Sequence, residues 1–236
     1  IRPMIATPIA INRHCYRQGA GFTVNKISSY LSPNRESIEL GIIHTLSSQY
    51  IPDQSELSPA ISPNRVLKIK TDKTENIIKG LKEHKYDIGF CGKIIAPELV
   101  FIPVLYQEFV AVVPPDHELA NKQEISLEEL VNYDLVGYLD DLVIAQTVKE
   151  IFAEHKLEPR YISKQENELL IGGMINQGFG VGIAANTSFL KEFDLKVILK
   201  LKKDYRVIYL VYNKVDYISA AAENFINYIA INKINL

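Results

Sequence analysis

The order of its elements gives this chain an α/β fold, a mostly parallel sheet covered by helices. Three observations predict it. The strongly apolar runs are short, as at residues 109–113 (FVAVV) and 207–212 (VIYLVY), which suits buried strands. Strand-like runs alternate with amphipathic helical runs over residues 38–90, and the alternation returns over residues 135–184. The helical runs open on polar residues that cap helices, so each strand feeds a turn and then a crossover helix.

The elements follow in order. Residues 1–36 carry no clear pattern: Pro3 and Pro8 interrupt an early helix. Gly19-Ala20-Gly21 weakens a helix over residues 11–30, by roughly 1 kcal/mol per glycine. Residues 38–43 are β-branched and apolar and form a strand, followed by a turn of capping residues at 44–48. A short helix from Gln49 is stopped by Pro52, Pro59 and Pro63. Residues 66–70 alternate apolar and polar, a second strand. Thr74 opens a helix with Ile77, Ile78 and Leu81 on one face, and residues 86–90 form a third strand.

Strands at 101–104 and 109–113 lead into a proline turn at 114–120. Ser126 and Glu129 have the spacing of a capping box and start a short helix. A strand at 135–138 and a helix at 144–155 follow, the helix with Ile144, Val148, Ile151 and Phe152 on one stripe. A strand at 160–162 precedes a helix at 169–177, ended by Gly178. Strands at 181–184 and 207–212 and a helix at 219–231 complete the chain. Pro-Asn-Arg occurs at 33–35 and 63–65; one shared tripeptide does not make a repeat.

Composition narrows the function classes. The chain has 236 residues, 47% of them hydrophobic, enough to bury a sizeable core. A formal net charge of -2 does not suit a chain that binds nucleic acid by itself. The two cysteines, Cys15 and Cys91, are far apart and in no metal-ligand spacing, which fits a reducing, cytoplasmic setting. No apolar run approaches the roughly 20 residues of a membrane span, and the start lacks the order of a secretory signal. No G-x-S-x-G, H-E-x-x-H or Walker loop occurs, so no enzyme, metal or cofactor is expected. Gly180 and Gly182 form a G-x-G, but they precede a strand rather than link one to a helix, which excludes a dinucleotide fingerprint.

Four segments, in this order, resemble the effector-binding domain of LysR-type transcription regulators. They are residues 37–45 (SIELGIIHT), 74–90 (TENIIKGLKEHKYDIGF), 104–130 with FVAVVPPDHELA at 109–120, and 169–185 (LLIGGMINQGFGVGIAA). The third and fourth are the most specific. His117-Glu118-Leu119-Ala120 stands where the family shows His-Pro-Leu-Ala, and Pro59 and Pro63 cut a helix that is regular in the family. Residues 1–36 resemble faintly the end of the family's winged helix and linker, and the helix-turn-helix itself would precede residue 1.

The resemblance implies a type 2 periplasmic-binding-protein-like fold: two α/β lobes joined by two crossover strands. Lobe I would be residues 37–108 and 209–236 and lobe II residues 109–208, with residues 1–36 a remnant of the linker. The crossings would be the strands at 109–113 and 207–212. It also implies a small-molecule effector held between the lobes and assembly as a homodimer or homotetramer. DNA would be met only through an N-terminal domain missing from this sequence, and no membrane is involved. The alternative is an extracytoplasmic solute-binding protein of the same fold, which needs an export signal upstream.

Ligands of open parallel sheets sit at the carboxyl ends of the strands, where helix starts favour anions. The residues at those ends are Thr45, Ser47, Ser48, Thr74, Cys91, Tyr138, Gln165 and Asn167, the candidate effector contacts. Thr45, Ser47 and Thr74 would hold one end of a small carboxylate or amino acid-like effector, and Gln165 and Asn167 would close from the other lobe. The same residue types are ordinary N-caps, and Cys91 has the alternative of a buried core residue. His44 reads as structural, His117 as part of a surface turn, and Asp140-Asp141 as a cap for the helix at 144. No arginine falls in these turns, which points to hydroxyl and backbone N–H donors for the carboxylate.

Overall fold

The structure, a computed structural model, describes residues 37–47, 66–198, 205–215 and 218–231. The expectations for residues 1–36, for Ser48 and for a helix from Gln49 lie outside the described residues.

Strand β1 (Ser37–Ile42) lies between β2 (Val66–Thr71) and β3 (Ile88–Cys91) and runs parallel to both. Helix α1 (Thr74–Lys82) makes the crossover from β2 to β3 and buries Ile77, Ile78 and Leu81, the face its spacing predicts. The strands expected separately at 101–104 and 109–113 are one strand, β4 (Leu99–Val113). It pairs antiparallel with β9 (Tyr205–Asn213), from Leu99 opposite Asn213 to Glu108 opposite Tyr205. The register shifts between Pro103 and Leu105, where proline has no N–H for the ladder. A bulge of this kind bends the strand without ending it.

Beyond residue 108, β4 changes partners and pairs with β7 (Val181–Ala185) and with β8 (Lys196–Ile198), a strand the sequence did not suggest. β7 lies parallel to β5 (Leu135–Tyr138), which lies parallel to β6 (Tyr161–Gln165). Among the described residues the sheet order is β2-β1-β3-β9-β4-β7-β5-β6, with β8 also on β4. The helices of this half are α2 (Leu127–Leu130), α3 (Val143–Glu154) and α4 (Glu168–Asn176). Helix α5 (Ala220–Ile231) returns to the first half and buries Phe225, Ile226 and Ile229 there.

Local signals set the helix ends. Ser126 Oγ accepts from the Glu129 N–H at 3.2 Å and Asn167 Oδ1 from the Leu170 N–H at 3.1 Å, as N-caps do. Gly178, at φ 80°, takes the left-handed backbone that ends α4. His117 Nδ1 accepts from the Leu119 N–H in a 3-10 turn. Neither Asp140 nor Asp141 caps α3, contrary to expectation: Leu142 is the N-cap and no side chain closes the first turn. Both aspartates form ion pairs instead, Asp140 with Lys149 and Lys164, each at 2.7 Å.

Buried side chains separate into two clusters. One holds Ile38, Leu40, Ile77, Val104, Leu105 and Ile208 onward through α5; the other holds Phe109 to Val113 with β5, α3, α4 and β7. Between Leu105 and Phe109, β4 carries Tyr106, Gln107 and Glu108, which belong to neither cluster. Opposite them, Tyr205, Arg206 and Val207 on β9 belong to neither as well. The two halves therefore meet at a pair of hydrogen-bonded strands whose side chains are mostly polar.

Candidate functional site

The carboxyl ends of the strands face one cleft of about 260 Å³ between the two clusters. One wall is the turn after β1, with His44 and Thr45, and the start of α1, with Lys73, Thr74 and Glu75. The opposite wall is the start of α3, with Leu142, Val143 and Ile144, together with Glu166. Residues 205–209 of β9 form the base, and Gly92 narrows the space, since a Cβ there would lie 2.9 Å from Val143 Cγ1.

Of the eight candidates, the structure places Thr45 and Thr74 on the cleft, and both are nearly buried. Thr74 is the first residue of α1, and its Oγ1 accepts from the Gly92 N–H at 3.3 Å. Ser47 is exposed and turns away, its hydroxyl donating to the His44 carbonyl at 2.7 Å. Ser48 lies outside the described residues. Cys91 is 0% exposed inside the first core and does not line the cleft; burial pushes its thiol up to about 12. That expectation is corrected: the carboxyl end of β3 reaches the cleft through Gly92 and Lys93 instead. Gln165 donates to Ser163 Oγ at 2.7 Å and Asn167 caps α4, so neither lines the cleft. His44, read as structural, is exposed on the cleft wall.

Tyr138 lies behind the cleft in a buried polar network that the sequence did not show. Its hydroxyl accepts from the Ala185 N–H at 2.9 Å and donates to Glu168 Oε1 at 2.8 Å. Burial first, then the Glu168 carboxylate, raises its phenol well above the ordinary value, so it keeps its proton. Glu168 is 1% exposed at the start of α4, where the helix dipole favours a carboxylate. From the other half of the molecule, the Thr45 hydroxyl donates to Glu168 at 3.2 Å (Oε2) and 3.4 Å (Oε1).

The turns named from the sequence hold no arginine, but Arg206, on strand β9, also serves the cleft. It lines the base, with a side chain only 10% exposed. Its Nε donates to Gln107 Oε1 at 2.7 Å, directly across the β4–β9 pairing. Its Nη2 stands 3.7 Å from Glu168 and has no hydrogen-bond partner among the described residues. At the rim, Lys73 pairs with Asp141 at 2.8 Å, joining the start of α1 to the turn before α3. That hydrogen bond raises the Lys73 ammonium and lowers the Asp141 carboxyl from their ordinary values. The sequence singled out neither Glu168, in the first turn of a helix, nor Arg206, which follows Lys202, Lys203, Asp204 and Tyr205. Only their spacing beside strand ends hinted at a role.

A two-lobed α/β clamp, joined by two paired strands and lined by helix starts, is a small-molecule-binding module of the type 2 periplasmic-binding-protein-like fold. Residues 32–232 match the LysR substrate binding domain, and the chain belongs to that family as an effector-binding domain of the LysR type. An uncharacterized HTH-type transcriptional regulator of Bacillus subtilis (strain 168), YybE, is 26% identical over 210 residues, 86% of this chain and 70% of that protein. The transcriptional dual regulator GltC of the same organism is 19% identical over 217 residues, 88% of this chain and 71% of that protein. Among solved structures, the effector binding domain of QuiR in complex with shikimate is 26% identical, with a TM-score of 0.78 over 84% of this chain and 96% of that one. The BenM effector binding domain with benzoate, at 20% identity and TM-score 0.71 over 83% of this chain and 90% of that one, shares the fold. These relatives are regulators rather than exported solute carriers. Among the described residues no cluster of ligating side chains could hold a metal, and no helix is long and apolar enough to cross a membrane.

Proposed function

We propose that the cleft binds a small carboxylate effector and that its occupancy sets lobe closure, and through closure the arrangement of subunits in a transcription regulator. One observation carries this reading. The starts of α1 and α3, from opposite halves, both line the cleft, and neither first turn is closed by a capping side chain. Helix starts present N–H groups and a positive dipole end to an anion, and Thr74 adds a hydroxyl beside them. The volume, a little below the range of about 300–1,000 Å³ for small-molecule sites, suits a compact effector.

In this reading, lobe I comprises residues 37–108 and 209–236 and lobe II residues 109–208. Thr45 and Thr74 touch the effector, while Tyr138 positions Glu168 behind them. The domain catalyses nothing. It works in the cytoplasm as part of a homodimer or homotetramer, with DNA contacted by a helix-turn-helix module of the kind named in its relatives. A signal arises because the effector has different affinity for two lobe arrangements.

The test is calorimetry and thermal unfolding with a panel of small carboxylates, shikimate and benzoate included. An effector at 100 times its Kd adds about 2.7 kcal/mol of stability, a rise of roughly 5–10 °C for a chain of this size. The Thr74→Val protein should lose most of that rise. If no carboxylate raises Tm, or Thr74→Val responds like the parent, the reading is wrong.

A further inference from the structure

The two threonines of the cleft are wired in opposite directions. Glu168, as a carboxylate, only accepts hydrogen bonds. Tyr138 already donates to it, with the Ala185 N–H fixing the phenol oxygen as acceptor and so aiming its proton at Glu168. The Thr45 hydroxyl therefore spends its single proton on Glu168. What Thr45 shows the cleft is lone pairs. Thr74 is the reverse: its oxygen accepts from the Gly92 N–H, and no described group takes its proton. It shows the cleft a donor, next to the N–H groups that start α1.

We infer that the effector is a carboxylic acid that also carries a hydrogen-bond donor, a hydroxyl or an ammonium, and that Thr45 reads this donor while Thr74 and the helix starts hold the carboxylate. This rests on the cleft being the carboxylate site proposed above. Glu168 is a positioning residue: it does not line the cleft, and it acts by fixing which way the Thr45 hydroxyl points. Glu75 and Glu166, exposed on opposite walls, add negative charge that suits an ammonium or hydroxyl and disfavours a second carboxylate. A bare carboxylate placed against Thr45 would set oxygen against oxygen. Leaving a buried polar group without its partner is the strongest source of discrimination between close analogues.

The experiment uses two matched pairs of probes in titration calorimetry. Shikimate is set against cyclohexenecarboxylate, which keeps the ring and carboxylate and lacks the hydroxyls. Phenylalanine is set against phenylpropionate, which lacks the ammonium. In the parent protein the donor-bearing member of at least one pair should bind at least about tenfold tighter. In Glu168→Gln the new amide donates to Thr45 and turns its proton toward the cleft. That tenfold ratio should then fall to near one, with the donor-free acid gaining affinity. Thr45→Val, which removes the hydroxyl at constant shape, should also abolish the ratio, but by weakening the donor-bearing probe. A general loss of structure would weaken both members of a pair alike and leave the ratio standing. Equal binding of the two members in the parent, or a ratio that survives both substitutions, overturns the inference and leaves the carboxylate site intact. If no probe binds any of the three proteins, the carboxylate reading of the cleft falls, and the inference with it.

Discussion

Replacing Arg206 by methionine tests how the base of the cleft is held. The guanidinium and the Glu168 carboxylate are 3.7 Å apart, with side chains 10% and 1% exposed. Two unit charges at that separation attract by roughly 4 kcal/mol at an effective dielectric of about 20. Desolvation of both groups offsets part of this, but removing one partner leaves the other charge buried alone, which costs about 3 kcal/mol. The substitution also takes the Arg206 Nε–H from Gln107, whose side chain is nearly buried, for about 1 kcal/mol more.

Adding Glu168→Gln separates these contributions. The Gln107 loss and the change in packing at residue 206 occur with either residue at 168, so they cancel in a double-mutant cycle. We expect Arg206→Met to lose about 3–4 kcal/mol in urea unfolding followed by far-ultraviolet circular dichroism. The double variant should recover enough to give a coupling of about 2 kcal/mol. A coupling below about 0.5 kcal/mol would show that the two groups do not sense each other, and the view of Arg206 and Glu168 as one buried pair would be refuted.

Three further outcomes follow from named contacts. Gly92→Val places methyl groups where a Cβ alone already lies 2.9 Å from Val143 Cγ1 on the opposite wall; it should prop the cleft open, weakening effector binding at least about tenfold while shifting Tm by only a few degrees, and unchanged affinity would show that closure does not bring these walls together. Gly180→Ala adds a Cβ 2.3 Å from the Asp134 carbonyl oxygen at a backbone φ of 135°; a loss of about 3 kcal/mol in urea unfolding is expected, and a loss within about 0.5 kcal/mol would mean the backbone relaxes freely there. Cys91, with its thiol pushed up to about 12 by burial, should stay silent to an aromatic disulfide reagent at pH 8 until the chain unfolds; the assay is made in Cys15→Ser, and a native reaction at the rate of free cysteine would contradict its burial.

Much of the fold was readable along the chain because each element announces itself locally. The stripe Ile144, Val148, Ile151, Phe152 needed only helical spacing to be recognised as the buried face of α3. The Ser126–Glu129 cap needed three residues, and Gly178 one. The errors came where a local feature had two outcomes. Residues 105–108 separated two expected strands, yet one strand ran through them because β9 lay beside it to hold the pairing. Asp140 and Asp141 had the form of a cap, yet lysines from α3, β6 and α1 reached them first.

The site was less legible for the same reason. Strand ends and helix starts could be placed, so two residues that line the cleft, Thr45 and Thr74, could be named. The residues between which they work were hidden: Glu168 lies 123 positions from Thr45, and Arg206 lies 99 positions from Gln107. Short-range pattern therefore determined the α/β class, the helix faces and the location of the cleft, because hydrophobic periodicity and capping act over a few residues. Tertiary structure alone decided which polar side chains were buried together, which way each threonine hydroxyl points, and that one arginine stands in the base of the cleft. Those outcomes depend on which distant groups the packing of two cores brings within about 3 Å of each other, the reach of a hydrogen bond.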